Sequence, residues 1–201
     1  GGLPIGTSNC GVYAFFDYDR EPIYVGQSVE RLQSRVGRHL TGRRSDAVGK
    51  FVLDPFEVLE IEVWPLWVPA NNQLNARENS ILRKALANRL EYAVFEKCLA
   101  ESRFHAVLNE GIIHPAEFIE LPTSYRGRII PDELYEERRH PDIRIARRAA
   151  TMASLARLIS ERRVGKGLRS TLLVQAQRLN HLAAHRYIDF STDPDDEAID
   201  G

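Results

Sequence analysis

The hydrophobic positions of the chain change period from one segment to the next. Residues 11–16, Gly-Val-Tyr-Ala-Phe-Phe, form a short run dense in aromatic and β-branched side chains. A polar break at residues 17–22 follows, and then a second run, Ile23-Tyr24-Val25-Gly26. Two such runs around turn-forming residues predict a β-hairpin. With a two-residue turn, Tyr13 and Tyr24 lie directly opposite as a cross-strand pair. From Ser28 the spacing becomes helical: Leu32, Val36 and Leu40 recur at i, i+4, i+8, and Arg35 and His39 share a neighbouring stripe. Residues 56–64 alternate again. Leu59, Ile61 and Val63 fall on one side and Glu57, Glu60 and Glu62 largely on the other, which predicts a third, half-buried strand ended by Pro65.

Longer helical patterns fill the rest. Residues 75–102 carry an apolar stripe of Ile81, Leu82, Ala85, Leu86, Leu90, Val94 and Leu99, and residues 104–109 close the core region. Residues 111–142 contain Pro115, Pro122, Pro131 and Pro141 and little periodicity, so they read as a surface connector. A helix from Asp142 to about Arg163 is expected to bury Ile145, Ala149, Met152, Ala156 and Ile159. After the Gly165-Lys166-Gly167 break a second, about Leu168 to Tyr187, is expected to bury Leu172, Ala176, Leu179 and Ala183. The predicted fold class is therefore α/β: a small antiparallel sheet flanked by helices, followed by a C-terminal helical hairpin.

Charge changes the picture by its placement. The net charge of the 201-residue chain is only -1, yet residues 27–50 hold six Lys/Arg against two acids and residues 140–170 hold eight against two, while residues 189–201 hold six acids and no base. Local basic patches of this kind suit a polyanion partner more than the total suggests. The two cysteines, Cys10 and Cys98, lie in apolar surroundings without paired spacing, which argues against a disulfide or zinc site and implies a reducing, cytoplasmic setting. No apolar run approaches ~18 residues, so no membrane span is expected.

The candidate chemistry sits in the first forty residues. Two phenols on a sheet face are followed by a guanidinium and an imidazole one helical turn apart, a combination suited to phosphoryl chemistry. Gly11-Val12-Tyr13 and Tyr24-Val25-Gly26, eleven residues apart from Tyr to Tyr, together with Arg35-x-x-x-His39, resemble the motifs of the GIY-YIG nuclease superfamily over roughly residues 10–110. Gln27 stands where many relatives carry Lys or a small residue. The resemblance implies a metal-dependent DNA endonuclease, with a restriction or defence role favoured because no repair-partner domain is attached. A repair or mobile-element nuclease acting on structured or single-stranded DNA is an alternative, as is a DNA-binding module that has lost turnover.

On that resemblance Tyr13 is the candidate base. A phenol of ordinary pKa about 10 needs nearby positive charge for this role. Tyr24 would position water or phosphate, Arg35 would clamp phosphate and His39 would bond the scissile phosphate or relay a proton. The family places one metal-binding Glu in the helix after the third strand, holding one Mg²⁺ or Mn²⁺ per site. Glu91, in Leu90-Glu91-Tyr92-Ala93-Val94-Phe95, resembles the family pattern most closely, with Glu78 and Glu96 as alternatives. Asn109 matches an Asn near the family's site. DNA contacts are expected from Gln27, Arg31, Arg38, Arg43, Arg44 and Asn109, and from Arg147, Arg148, Arg162, Arg163 and Lys166 of the hairpin. The expected division is a nuclease domain at 1–121, a connector at 122–142, a hairpin at 143–188 for DNA binding or dimerisation, and an acidic tail at 189–201. The expected partners are DNA and a second copy of the chain on DNA, with no membrane and no small-molecule cofactor.

Overall fold

The computed structural model describes residues 8–41, 52–69, 71–109 and 113–191. Arg43, Arg44 and nearly all of the acidic tail lie outside the described residues, so those expectations have no structural counterpart. Strands β1 (Cys10–Phe16), β2 (Pro22–Ser28), β3 (Glu60–Leu66) and β4 (Tyr125–Arg128) form one antiparallel sheet in the order β2-β1-β3-β4. Helices α1 (Leu32–Leu40), α2 (Ala76–Glu101), α3 (Asp132–Arg139), α4 (Pro141–Glu161) and α5 (Lys166–Ser191) surround it.

Central β1 is buried along its whole length, as its unbroken apolar run requires. Alternation divides the sheet into two covered faces. Tyr13, Phe15, Tyr24, Ile61 and Val63 share one core with Leu32 and Val36 of α1, Leu155 of α4, and Leu168 and Val174 of α5. Val12, Ala14, Phe16, Val25 and Trp64 share the other with Leu90, Val94 and Cys98 of α2. Asn75 starts α2 with a capping box: its side chain accepts from the Glu78 N–H (3.0 Å) while the Glu78 carboxylate accepts from the Asn75 N–H (2.8 Å).

Several expectations are corrected by the structure. The hairpin turn has five residues, not two. The Asp17 carboxylate accepts from the Asp19 and Glu21 N–H groups (2.8 and 3.0 Å), Arg20 takes a left-handed φ of 60°, and the register shifts at Phe15/Phe16. Tyr13 therefore pairs with Gly26 and Tyr24 with Phe15, which makes the tyrosines diagonal neighbours. Strand β3 begins later than its alternation suggests, because Pro55–Glu57 is a short 3₁₀ turn. It also runs through Pro65, tolerated because β4 pairs only with residues 60–63. The connector is no mere surface loop. It supplies β4 and α3.

The largest correction concerns the C-terminal hairpin. The buried stripe of α4 is Arg144, Arg148, Leu155 and Leu158, and that of α5 includes Leu168, Thr171, Val174, Gln175, Arg178 and Leu182. Ala149 and Ala156 are exposed, and the other expected core positions, Ile145, Met152, Ile159, Leu172, Ala176, Leu179 and Ala183, are only half-buried. Arg148 donates to Asp17 (2.9 Å) and Glu57 (3.0 Å), Arg178 donates to Asp17, Arg144 donates to Asp19 (2.6 and 3.0 Å), and Arg147 donates to Glu57 (2.9 Å). Arg147 and Arg148 are thus spent on internal carboxylates and are withdrawn as DNA contacts. Their charge offsets that of the hairpin turn and the 3₁₀ turn, and it docks both helices on the sheet.

Candidate active site

Two glycines let the site assemble. A Cβ on Gly11 would lie 2.7 Å from the Trp64 carbonyl oxygen and 2.9 Å from Leu32 Cδ1, so the bare backbone is what allows α1 to seat against β1. A Cβ on Gly26 would lie 2.7 Å from Tyr13 Oη and 2.8 Å from Tyr24 Cε1. The Tyr13 phenol therefore occupies the space that any other residue would fill.

With α1 seated, His39 meets both phenols. Its ring centroid is 5.8 Å from that of Tyr13 and 5.1 Å from that of Tyr24, while the two phenol centroids are 6.3 Å apart. Phe15 closes the cluster at 5.2 Å from Tyr13 and 6.0 Å from Tyr24. All four rings are buried. Arg35, one turn before His39, is half-buried, and its Nε is enclosed without a hydrogen-bond partner. A polar atom so placed suits a ligand acceptor.

Glu91 reaches this region from the opposite face of the sheet. Val25 and Gln27 point the same way along β2, towards α2. Gln27 Nε2 donates to Glu91 Oε2 (2.6 Å) and to Asn88 Oδ1 (2.9 Å). Burial raises the Glu91 carboxyl above the usual range against the lowering influence of the Gln27 hydrogen bond and the Lys84 and Arg35 charges. The charge of Arg35 on α1 thus reaches the Glu91 carboxylate on α2. Glu78 is instead committed to its capping box. Glu96 is exposed five residues beyond Glu91, about 140° around the helix at ~100° per residue. Of the three carboxylates, only Glu91 is joined to the site.

Other expected contacts divide. Gln27 is held on Glu91. Asn109 is a strand anchor: its Oδ1 accepts from the Val25 N–H (3.1 Å) and its Nδ2 donates to the Val25 carbonyl (2.7 Å), so both ends of its amide are taken. It ties down the strand that carries Tyr24 and is withdrawn as a phosphate contact. Arg38 is ion-paired with Glu30, whereas Arg31 is exposed at the start of α1. Arg162, Arg163 and Lys166 are exposed at the α4–α5 turn. Sequence reading missed the role of Gln27, although the period of two along β2 separates it from Tyr24 and places it with Val25.

The donor set bears on the metal. Among the described residues no group of three or more His, Cys, Asp and Glu side chains could hold an ion. Glu91 offers two carboxylate oxygens, and Gln27 Oε1 beside it is buried without a hydrogen-bond partner. Few hard oxygen donors with coordination completed by water is the arrangement Mg²⁺ accepts, so these residues fit such an ion.

Residues 9–91 match a family model described as the GIY-YIG catalytic domain. No curated protein and no solved structure matches the chain.

Proposed function

We propose, from the premise that residues 9–91 are a GIY-YIG catalytic domain and hence a phosphodiester-cleaving nuclease, that the protein is a divalent-metal-dependent DNA endonuclease of restriction or defence type. The observation that carries the reading is the convergence of Tyr13, Tyr24 and His39 on one ring cluster, with Arg35 within electrostatic reach of Glu91.

In this reading Arg35 holds the non-bridging oxygens of the scissile phosphate, using donors that cannot lose their charge. Tyr13, in its phenolate form, accepts the proton of the attacking water and becomes the neutral phenol, and Tyr24 and His39 orient water and phosphate. Glu91, with Gln27 Oε1 beside it, holds the cation. When bound, Mg²⁺ or Mn²⁺ supplies charge stabilisation at the phosphorus and at the leaving oxygen.

The packing of α4 and α5 into the catalytic core supports an enzyme that acts as a single unit on duplex DNA. One site cuts one strand, so a double-strand break calls for a two-fold dimer on DNA. The outward groove lined by Ala149, Met152, Leu172, Leu173 and Ala176 supports a contact through α4 and α5.

Plasmid DNA incubated with the protein and Mg²⁺, Mn²⁺ or EDTA tests the reading. Cleavage is expected only with metal, and Tyr13→Phe is expected to abolish it while folding and DNA binding stay near wild type. Intact plasmid with both metals would overturn the function, and an active Tyr13→Phe would remove that residue from the base role. A protein sedimenting as a monomer on DNA, with nicked circles accumulating, would replace the dimer by sequential nicking.

A further inference from the structure

Helix α2 is 26 residues long, yet its buried residues, Ala87, Leu90, Ala93, Val94 and Cys98, all lie from residue 87 onward. The first half, up to that point, has a different character. Ile81 is 60% exposed, and Arg77 and Lys84 are exposed with no ion-pair partner among the described residues. Many of the protein's other arginines are taken up, on α4 by Asp17, Asp19 and Glu57, on β4 by Glu60 and Asp132. The unpaired cations of α2 are therefore available to an outside anion.

Their direction is set by the helix. At ~100° and ~1.5 Å per residue, Arg77, Ile81, Lys84, Asn88 and Glu91 fall within about 80° of arc over about 21 Å. The stripe thus ends on the carboxylate joined to the site. Asn88 and Glu91 share the Gln27 amide, and the Lys84 charge reaches the Glu91 carboxylate. A phosphate next to Glu91 has neighbours along the DNA, and this face lies alongside them.

We infer that the exposed first half of α2 is a DNA-docking element that lies in the major groove beside the scissile phosphate, with Lys84 and Arg77 on backbone phosphates and Ile81 against base edges. The assignment rests on the reading that Glu91 marks the cleavage point. The B-form major groove, about 12 Å wide, admits an α-helix, and about 21 Å of helix spans roughly six base pairs at 3.4 Å each. Ile81 matches the apolar surface of a thymine methyl. Lys84, two turns from Glu91, is the cation nearest the cleavage point on this stripe, and Arg77 reaches further along the duplex.

Duplex binding by the full-length protein in EDTA tests the element apart from catalysis. Fluorescence anisotropy over a range of salt is expected to give about fivefold weaker binding for Lys84→Ala, with a log affinity against log salt slope shallower by about 0.9, the value for one phosphate contact. Arg77→Ala is expected to behave alike, and Ile81→Ser to weaken binding about threefold with an unchanged slope. In Mg²⁺, Lys84→Ala is expected to raise KM and leave kcat within about twofold. These side chains are exposed, so circular dichroism should match wild type. Unchanged affinity and slope in both cation variants would overturn the inference, as would a slope change confined to an Arg162/Arg163/Lys166 triple variant. A wild-type protein that binds with the predicted Lys84 dependence but never cuts would sink the proposed function and leave the docking face standing.

Discussion

Asp17→Asn is a change of one atom at the centre of the buried ion network, and it isolates what docks the C-terminal helices. Asp17 is 1% exposed, and its Oδ2 accepts from Arg148 Nη2 (2.9 Å) and from Arg178 Nη2, while its Oδ1 holds the turn through the Asp19 and Glu21 N–H groups. Asparagine keeps the turn bonds but replaces Oδ2 with an NH₂ that faces two guanidinium groups. Arg178, 2% exposed, and Arg148, 4% exposed, then lose a shared counter-charge that water cannot replace. Burial already disfavours the charged form of Arg178. Removing one partner from a buried pair costs about 3–5 kcal/mol. At about 2–4 °C per kcal/mol for a chain of this size, the melting temperature should fall by ~10 °C. Thermal unfolding followed by circular dichroism reads this directly. Adding Arg178→Met removes the stranded cation, so the double variant should lose less than the sum of the single losses, with a coupling of about 2 kcal/mol. Raising salt should leave the gap between wild type and Asp17→Asn nearly unchanged, because buried charges are poorly screened. A loss below about 1 kcal/mol, or additive single losses, would refute the assignment of docking to this network.

Gly26→Ala places a Cβ 2.7 Å from Tyr13 Oη; overpacking should cost about 1–3 kcal/mol, and a shift of the phenol near 1 Å should lower the cleavage rate by about 100-fold in a single-turnover assay. Asn109→Ala strands both backbone groups of Val25 and should cost about 1–3 kcal/mol, with an unchanged salt slope for DNA binding because no phosphate contact is lost. Since burial raises the Glu91 carboxyl in the folded chain, its ionisation opposes folding as pH rises through that value. Metal-free Glu91→Gln should therefore melt above wild type at pH 7.5 and match it below about pH 4, where Glu91 is protonated in both states. Wild-type cleavage should fall as pH drops, through protonation of the same carboxyl.

Short-range regularities made much of the fold legible. The runs at 11–16 and 23–26, the i+4 spacing from Leu32 and the long stripe through Leu90 and Val94 gave β1, β2, α1 and α2 because each element buries apolar side chains at its own period. The motif spacings drew attention to Tyr13, Tyr24 and His39, whose rings meet, although the direct Tyr–Tyr pairing expected of a two-residue turn is a diagonal one. The failures have one cause. Arg147 and Arg148 read as DNA contacts because hydropathy cannot see a buried partner, and the carboxylates that hold them lie 90 to 131 residues away in sequence. The buried stripes of α4 and α5 were consequently placed on the alanine face. Strand β4, Tyr-Arg-Gly-Arg, has no apolar alternation because it is an exposed edge whose pairing comes from β3. Asn109 matched a family position, yet its role depends on reaching Val25 across the sheet edge, which no local spacing encodes.

The same network bears on how the chain divides. Were α4 and α5 an appendage, a chain ending at residue 142 would fold and merely bind DNA with a weaker salt dependence. The packing argues otherwise. Leu155, Leu158, Leu168, Val174 and Leu182 are all at most 8% exposed, and Leu155, Leu168 and Val174 belong to the core that holds Tyr13, Phe15 and Tyr24. At about 1.5–3 kcal/mol for each buried side chain, the five contribute roughly 7–15 kcal/mol, as large as the net stability of an ordinary domain. Truncation would also strand Asp17 and Glu57 without their arginines, and solvation of those carboxylates recovers only part of the loss. The fragment 1–142 is therefore expected to lack a cooperative thermal transition and to expose its tyrosine cluster to solvent. Near-ultraviolet circular dichroism and dye binding to exposed apolar surface would report both. A fragment that unfolds cooperatively with wild-type aromatic signals would show the nuclease fold to be complete without the helices, and the buried arginines would then be a tether between two independent units.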